Sequence, residues 1–268
     1  MTWEWDATLY AGSAAHYARG RLPYPAALGA AFAAELGLDG SGRLLDVGCG
    51  PGSLTSVLAP YFAEAVGLDA DADMLREAAR PGTANCRWVH RRAEELPAGL
   101  GEFRLVTFAQ SFHWLDRPRV AAAVRGMLAP GGVLAHVHAA THGGAESSVP
   151  RAAIAELVRR YLGPVRRAGQ GSLPGGTPGG EAEIYRAAGF AGPRRFEVPG
   201  PAVTRGVDEV VDAVFSLSYS APHLFGDRRT EFEAELRRLL WAASPDGTFS
   251  ERFRELAVDV WAPVTRGC

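Results

Sequence analysis

Leu44-Leu45-Asp46-Val47-Gly48-Cys49-Gly50-Pro51-Gly52 decides the fold, because an apolar run of strand length breaks there into a glycine-rich turn. Ser53-Leu54-Thr55-Ser56-Val57-Leu58 can start a helix directly behind it. Gly48, Gly50 and Gly52 carry no side chains, so backbone N–H groups can approach a ligand closely at the helix start. The next apolar run, Val66-Gly67-Leu68-Asp69, ends on a carboxylate 21 residues after Gly48. In doubly wound α/β proteins an acid at about that distance grips a ribose hydroxyl pair, so the pattern predicts a nucleoside-bearing ligand.

The spacing departs from the dinucleotide pattern G-x-G-x-x-G: Ser53 stands at its last position and the third glycine falls one place early, at Gly52. Asp46 aims a carboxylate at the loop, which repels a pyrophosphate and attracts an ammonium or sulfonium group. Three further stretches follow in the order that a repeating strand–helix fold demands. Cys86-Arg87-Trp88-Val89-His90 leads into Arg91-Arg92-Ala93-Glu94-Glu95-Leu96-Pro97, and Phe103-Arg104-Leu105-Val106-Thr107-Phe108 runs into Ala109-Gln110-Ser111-Phe112-His113-Trp114-Leu115-Asp116. Leu128-Ala129-Pro130-Gly131-Gly132 ends a helix and feeds the strand Val133-Leu134-Ala135-His136-Val137-His138. The four stretches together resemble the class I S-adenosylmethionine-dependent methyltransferases. Gln110, His113, Trp114 and Asp116, with Tyr17-Ala18-Arg19-Gly20-Arg21-Leu22-Pro23-Tyr24-Pro25 upstream, narrow the resemblance to the small-molecule branch similar to trans-aconitate methyltransferase.

The resemblance implies S-adenosylmethionine as cofactor. Its methionine end would lie on the Gly48, Cys49, Gly50, Gly52 loop, the ammonium held by the Gly48 carbonyl and by Asp46, directly or through water. Asp69 would take the ribose hydroxyls, Ala70 and Met74 would flank the adenine, and Ala93 and Glu94 would meet its polar edge. Gln110, Ser111, Phe112 and Trp114 complete the cofactor side, while Arg92 stands where the family often has an acid. His113 is the candidate base; packing on the cofactor, or capping the next helix, is its competing role. Tyr10, Tyr17, Arg19, Arg21 and Tyr24 would form a cover that closes over cofactor and acceptor, an aromatic packing patch with surface arginines being the alternative. The implied reaction moves a methyl group to an O, N or C atom of a small organic metabolite, of the kind secondary metabolism uses. The alternatives are an NAD(P)-dependent oxidoreductase and a non-catalytic S-adenosylmethionine-binding protein.

A chain of 268 residues with net charge −2 has neither a basic field for nucleic acid nor a polybasic run for an anionic membrane. All 28 basic residues are arginine, which reads as coding bias. Cys49, Cys86 and Cys268 have no metal-ligand spacing and fit a reducing compartment, with Cys49 as a small packing residue. No leader and no long apolar segment stands out, so the expectation is a cytoplasmic monomer or homodimer with a small-molecule substrate. His136 and His138 share a strand face near His142, but no carboxylate stands at ligand spacing and no metal is expected.

The expected architecture is α/β: a doubly wound, mostly parallel seven-stranded sheet, Rossmann-like, with a small helical cap. Residues 1–36 form an N-terminal helical cover, carrying Trp3 and Trp5 and ending in a helix over 26–36. Residues 37–142 form the cofactor-binding core, with strands at 43–47, 65–69, 86–90, 104–109 and 132–138. Residues 143–230 form a helical cap or lid, with helices at 149–161, 182–188 and 207–218 and a sixth strand at 194–198. Residues 231–268 supply a helix and a last strand, 257–264, that complete the core; the resemblance makes this strand antiparallel. In that helix Phe232, Leu236, Leu239 and Leu240 share one face. Glycine and proline dominate 163–180, which reads as a lid or as an unstructured connection.

Overall fold

The computed structural model describes residues 6–139, 146–164 and 179–264, and the backbone of 167–168 and 171–172. Trp3, Trp5, His142, Cys268 and most of 163–180 lie outside the described residues. The opening stretch forms strand β1 (Arg43–Val47) and helix α3 (Ser53–Leu58), preceded by α1 (Ala14–Gly20) and α2 (Ala26–Leu36). β2 (Glu64–Asp69), α4 (Ala72–Ala79), β3 (Cys86–His90), β4 (Phe103–Ala109), α5 (Arg117–Arg125) and β5 (Leu128–His138) continue the alternation. With β9 (Phe190–Val198) and β12 (Leu256–Pro263) these strands make one sheet of order β3-β2-β1-β4-β5-β12-β9. β1 to β5 are parallel, and β12 runs antiparallel to both of its neighbours.

The chain builds this sheet because its central strands are apolar on both faces. Successive side chains point to opposite sides, so Leu45, Val47, Val106 and Phe108 face α5 and the helix α7 (Glu181–Ala187). Leu44, Leu105 and Ala135 face the other way, onto Phe32 of α2 and Leu54 and Leu58 of α3. Strand order reverses between β1 and β4, which opens a crevice at their carboxyl ends.

Three expectations are corrected. β5 begins at Leu128 and α5 ends at Arg125, so the Leu-Ala-Pro-Gly-Gly turn is the irregular start of a strand whose register against β4 shifts between Phe103 and Leu105. The cap is not purely helical. Besides α6 (Arg151–Leu162), α8 (Val207–Phe215) and α9 (Arg229–Ala243) it holds an antiparallel sheet in which β11 (Thr248–Arg252) lies between β10 (Ala202–Gly206) and β6 (Glu146–Ser147). Burial along β11 alternates, with Phe249 and Glu251 inside and Thr248, Ser250 and Arg252 outside, the pattern of a half-buried strand. Finally, α9 packs Phe232, Leu236 and Leu240 on α6 and α8, so of the C-terminal segment only β12 completes the large sheet. A two-residue pair, β7 (Arg167–Ala168) with β8 (Gly171–Ser172), stands apart from both sheets. No described helix is long and apolar enough to cross a membrane.

Phe232 is fully buried and stacks on Phe225 at 4.0 Å between ring centres. Phe232→Ala is expected to cost about 3–5 kcal/mol of stability in equilibrium denaturant unfolding, because loss of the buried ring leaves a cavity beside Phe225.

Candidate functional site

The turn after β1 is held to the end of β2: the Gly48 and Cys49 N–H groups both donate to the Leu68 carbonyl, at 2.8 and 3.1 Å. Gly50 N–H donates to Asp69 Oδ2 and Asp71 N–H to Asp69 Oδ1, each at 2.8 Å. Gly50 has φ +55° and no atom within 4 Å of where a Cβ would stand, so any side chain there would enter open crevice. Gly52 serves a different purpose: a Cβ there would lie 2.5 Å from the Trp88 ring, packing α3 against β3.

The crevice spans about 1000 Å3, its mouth included. Asp46, Gly48, Cys49, Gly50, Asp69, Ala70, Met74, Ala93, Glu94, Gln110, Ser111 and Trp114 line its sheet side. Tyr10, Tyr17, Arg21 and Tyr24 line it from the N-terminal segment. Asp46 is 1% exposed and accepts hydrogen bonds from Thr55 Oγ1 at 2.6 Å and Thr107 Oγ1 at 2.8 Å. Burial pushes its carboxyl above the usual range, and burial raises Asp69 to about 6. Burial also pushes the Cys49 thiol up, which suits a packing residue better than a reactive one. Asp71 caps α4 by accepting from Asp73 N–H and Met74 N–H, and so fixes Met74 at the wall. Glu94 is buried and accepts from Asp116 N–H. Gln110 holds φ 57°, a left-handed conformation that is strained for a residue with a Cβ, where β4 opens onto the crevice.

Four expected residues do not line the crevice. Phe112 is buried in the core against Phe108 and Tyr185, and Gly52 faces Trp88. His113 sits between Phe112 and Trp114 in a 3-10 turn that sends Phe112 inward and Trp114 to the crevice, leaving the imidazole against the Trp114 ring. Burial, with the Arg117 charge, lowers it to about 4. Arg19 instead pairs with Asp212 of α8 through Nε at 2.7 Å and Nη2 at 3.0 Å.

The cover is a built structure. Tyr10 meets Tyr17 and Trp114 edge-on at 6.2 and 5.9 Å, and the Arg21 guanidinium lies 4.6 Å over the Tyr17 ring while donating to Ser216 Oγ at 2.8 Å. His16 joins Arg19 on Asp212. At Gly20 a Cβ would stand 2.2 Å from the Ala213 backbone nitrogen, so α1 and α8 touch backbone to backbone. Leu9, Leu22, Pro51, Ser53, Leu54, Leu68, Asp71, Arg92, Ala109 and Leu115 also line the crevice. Of these additions, Asp71 was detectable as an N-cap before an apolar-periodic run. His136 and His138 stack at 4.5 Å, and His138 meets a carboxylate after all, Asp259 at 3.0 Å, which Arg195 already holds. Among the described residues no group of three possible ligands could hold a metal ion.

Residues 44–132, the run from β1 into β5, match the family model of a methyltransferase domain. Residues 44–132 are a methyltransferase domain. Over 175 residues it is 32% identical to the trans-aconitate 2-methyltransferase of Deinococcus radiodurans, covering 63% of this chain and 66% of that protein. Over 94 residues it is 37% identical to the malonyl-(acyl-carrier protein) O-methyltransferase of Enterobacter lignolyticus, covering 35% of this chain and 37% of that one. The chain thus spans just under two thirds, and about a third, of these relatives' lengths. A candidate type II methyltransferase from Anaeromyxobacter dehalogenans shares the fold, with a TM-score of 0.54 at 21% identity, covering 92% of this chain and 99% of that one.

The cover and the cap are joined through the α1–α8 contact. Gly20→Ala is expected to lift α1 from α8, destabilise the fold by about 1–3 kcal/mol and speed hydrogen exchange at Tyr17, with α3 amides unchanged.

Proposed function

We propose that this chain is an S-adenosylmethionine-dependent methyltransferase acting on a small organic acceptor at an O, N or C atom. The observation that carries the proposal is the crevice floor: Asp46 is buried and Asp69 half-buried at the glycine cradle, and Asp71 and Glu94 stand beside them, against Arg21 and Arg92. That balance suits a cationic nucleoside. It opposes the pyrophosphate of a nicotinamide dinucleotide, which would meet the same acids. In this reading Asp69 takes the two ribose hydroxyls, since a carboxylate already accepting two N–H groups keeps lone pairs for two more. Ala70 and Met74 flank the adenine, Ala93 and Glu94 meet its edge, and the Gly48 carbonyl takes the ammonium within the field of Asp46.

The cofactor, when bound, supplies an electrophilic methyl group. What the chain adds is placement and dryness: Tyr10, Tyr17, Tyr24 and Trp114 close the crevice against water. Among the described lining residues there is no histidine, and burial pushes the Tyr10 and Tyr24 phenols upward. Catalysis therefore rests on alignment of acceptor and methyl carbon, an effect worth roughly 7–11 kcal/mol. The near-neutral charge and the small acceptor in the name of the trans-aconitate relative support a metabolite substrate, and we assign it to a cytoplasmic monomer or homodimer.

S-adenosylhomocysteine is expected to raise the melting temperature, and Asp69→Ala to abolish that shift; an undiminished shift in the variant would overturn the ribose assignment. The same carboxylate sets a pH dependence. Asp69 accepts both hydroxyls only when ionised, above about 6 in the free protein. Affinity for S-adenosylhomocysteine, measured by calorimetry, is expected to fall as the pH is lowered from about 8 to about 5, and Asp69→Asn to bind weakly and to flatten that profile.

A further inference from the structure

A second cavity opens in the cap between α6 and α8, spans about 870 Å3 with its mouth included, and shares no lining residue with the crevice. α8 and the two residues after it stand between the two: Asp212 and Ser216 bond to the cover, and Val210, Val214 and Leu217 line the cavity. Val149, Ile154 and Val158 complete an apolar wall. Protein interiors leave few voids larger than a water molecule, and a space walled this way favours an apolar occupant.

The polar end of the cavity is charged. Arg205 and Glu251, 3% and 2% exposed, form an ion pair at 3.1 Å. Arg205 also donates to the carbonyls of Gly20 and Glu209, and Ser147 Oγ donates to Glu251 at 2.9 Å. Arg151, the first residue of α6, reaches the same Glu251 carboxylate, and its side chain remains 40% exposed. Two guanidiniums thus share one carboxylate. A positive end and a long apolar wall fit an amphiphile with a single anionic group, because a guanidinium pairs well with a carboxylate and the valines with a hydrocarbon chain.

We propose that the cap cavity binds a medium-chain carboxylic acid, its chain along Val210, Val214 and Val158 and its carboxylate on Arg151. The site is separate from methyl transfer and does not depend on it.

Isothermal titration of the full chain with decanoate and with decanol tests the proposal. One decanoate per chain is expected, with decanol at least about tenfold weaker, a difference of about 1.4 kcal/mol. Ala155 lines the cavity yet is solvent-exposed, so Ala155→Trp is expected to block both ligands while its circular-dichroism melting curve stays that of the parent. Arg151→Gln is expected to weaken decanoate about tenfold and leave decanol unchanged, and it decides the matter should Ala155→Trp not fold. No binding by the parent chain, decanoate binding that survives both substitutions, or equal affinity for acid and alcohol would each overturn the proposal. None of these outcomes depends on the response to S-adenosylhomocysteine.

Discussion

The hydrogen bond from Gly50 N–H to the Asp69 carboxylate ties the end of β1 to the end of β2, and the remaining chemistry is arranged around it. The Gly48 and Cys49 N–H groups hold the same turn down on the Leu68 carbonyl, so the loop cannot rise without distorting the strand that delivers the acid. A left-handed backbone at Gly50, with open space beyond its Cα, leaves the turn as a bare cradle. Asp69 is stabilised there by two backbone donors, yet burial outweighs them and raises it to about 6. The acid is therefore under-satisfied in the free protein, and a ligand that brings two hydroxyl donors relieves that deficit.

The cover obeys a different constraint. α1 carries Tyr17, and Arg21 just after it, to the crevice, and it lies close against α8 because residue 20 has no side chain. The Arg19–Asp212 pair and the Arg21–Ser216 hydrogen bond then fix the rotation of α1. α8 thus links cap and cover, while α2 ties the cover to β1 and β4.

What was legible in the sequence follows from this division. β1 to β5 announced themselves because strands buried on both faces read as unbroken apolar runs, and Asp69 because its strand ends on it. α9 was legible from its apolar face, but not where that face packs, since its partners on α6 lie about 75 residues away. β10 and β11 were missed because one polar face and a length of five residues leave little periodic signal. Neither the need for glycine at position 20 nor the Asp259 partner of His138, 121 residues distant, has any local signature. His113 misled because Ser111 and Trp114 nearby do face the crevice, and one step along a 3-10 turn is enough to point a side chain elsewhere.

Asp46 shows why the acids at the floor act as a field more than as contacts. Both of its oxygens are occupied by hydroxyl donors, Thr55 and Thr107, which fix the carboxylate in place but bring no positive charge. Neutral donors offset part of the cost of burial and leave the negative potential largely intact. An ammonium arriving about 4 Å away would gain about 4 kcal/mol at the effective dielectric typical of such sites, and a phosphate would lose as much. A cavity closed over by tyrosines, and so shielded from salt, preserves that preference in a way an exposed aspartate could not. The proposed preference for a cationic cofactor over a dinucleotide thus follows from two threonines that hold one buried acid still beside the glycine cradle.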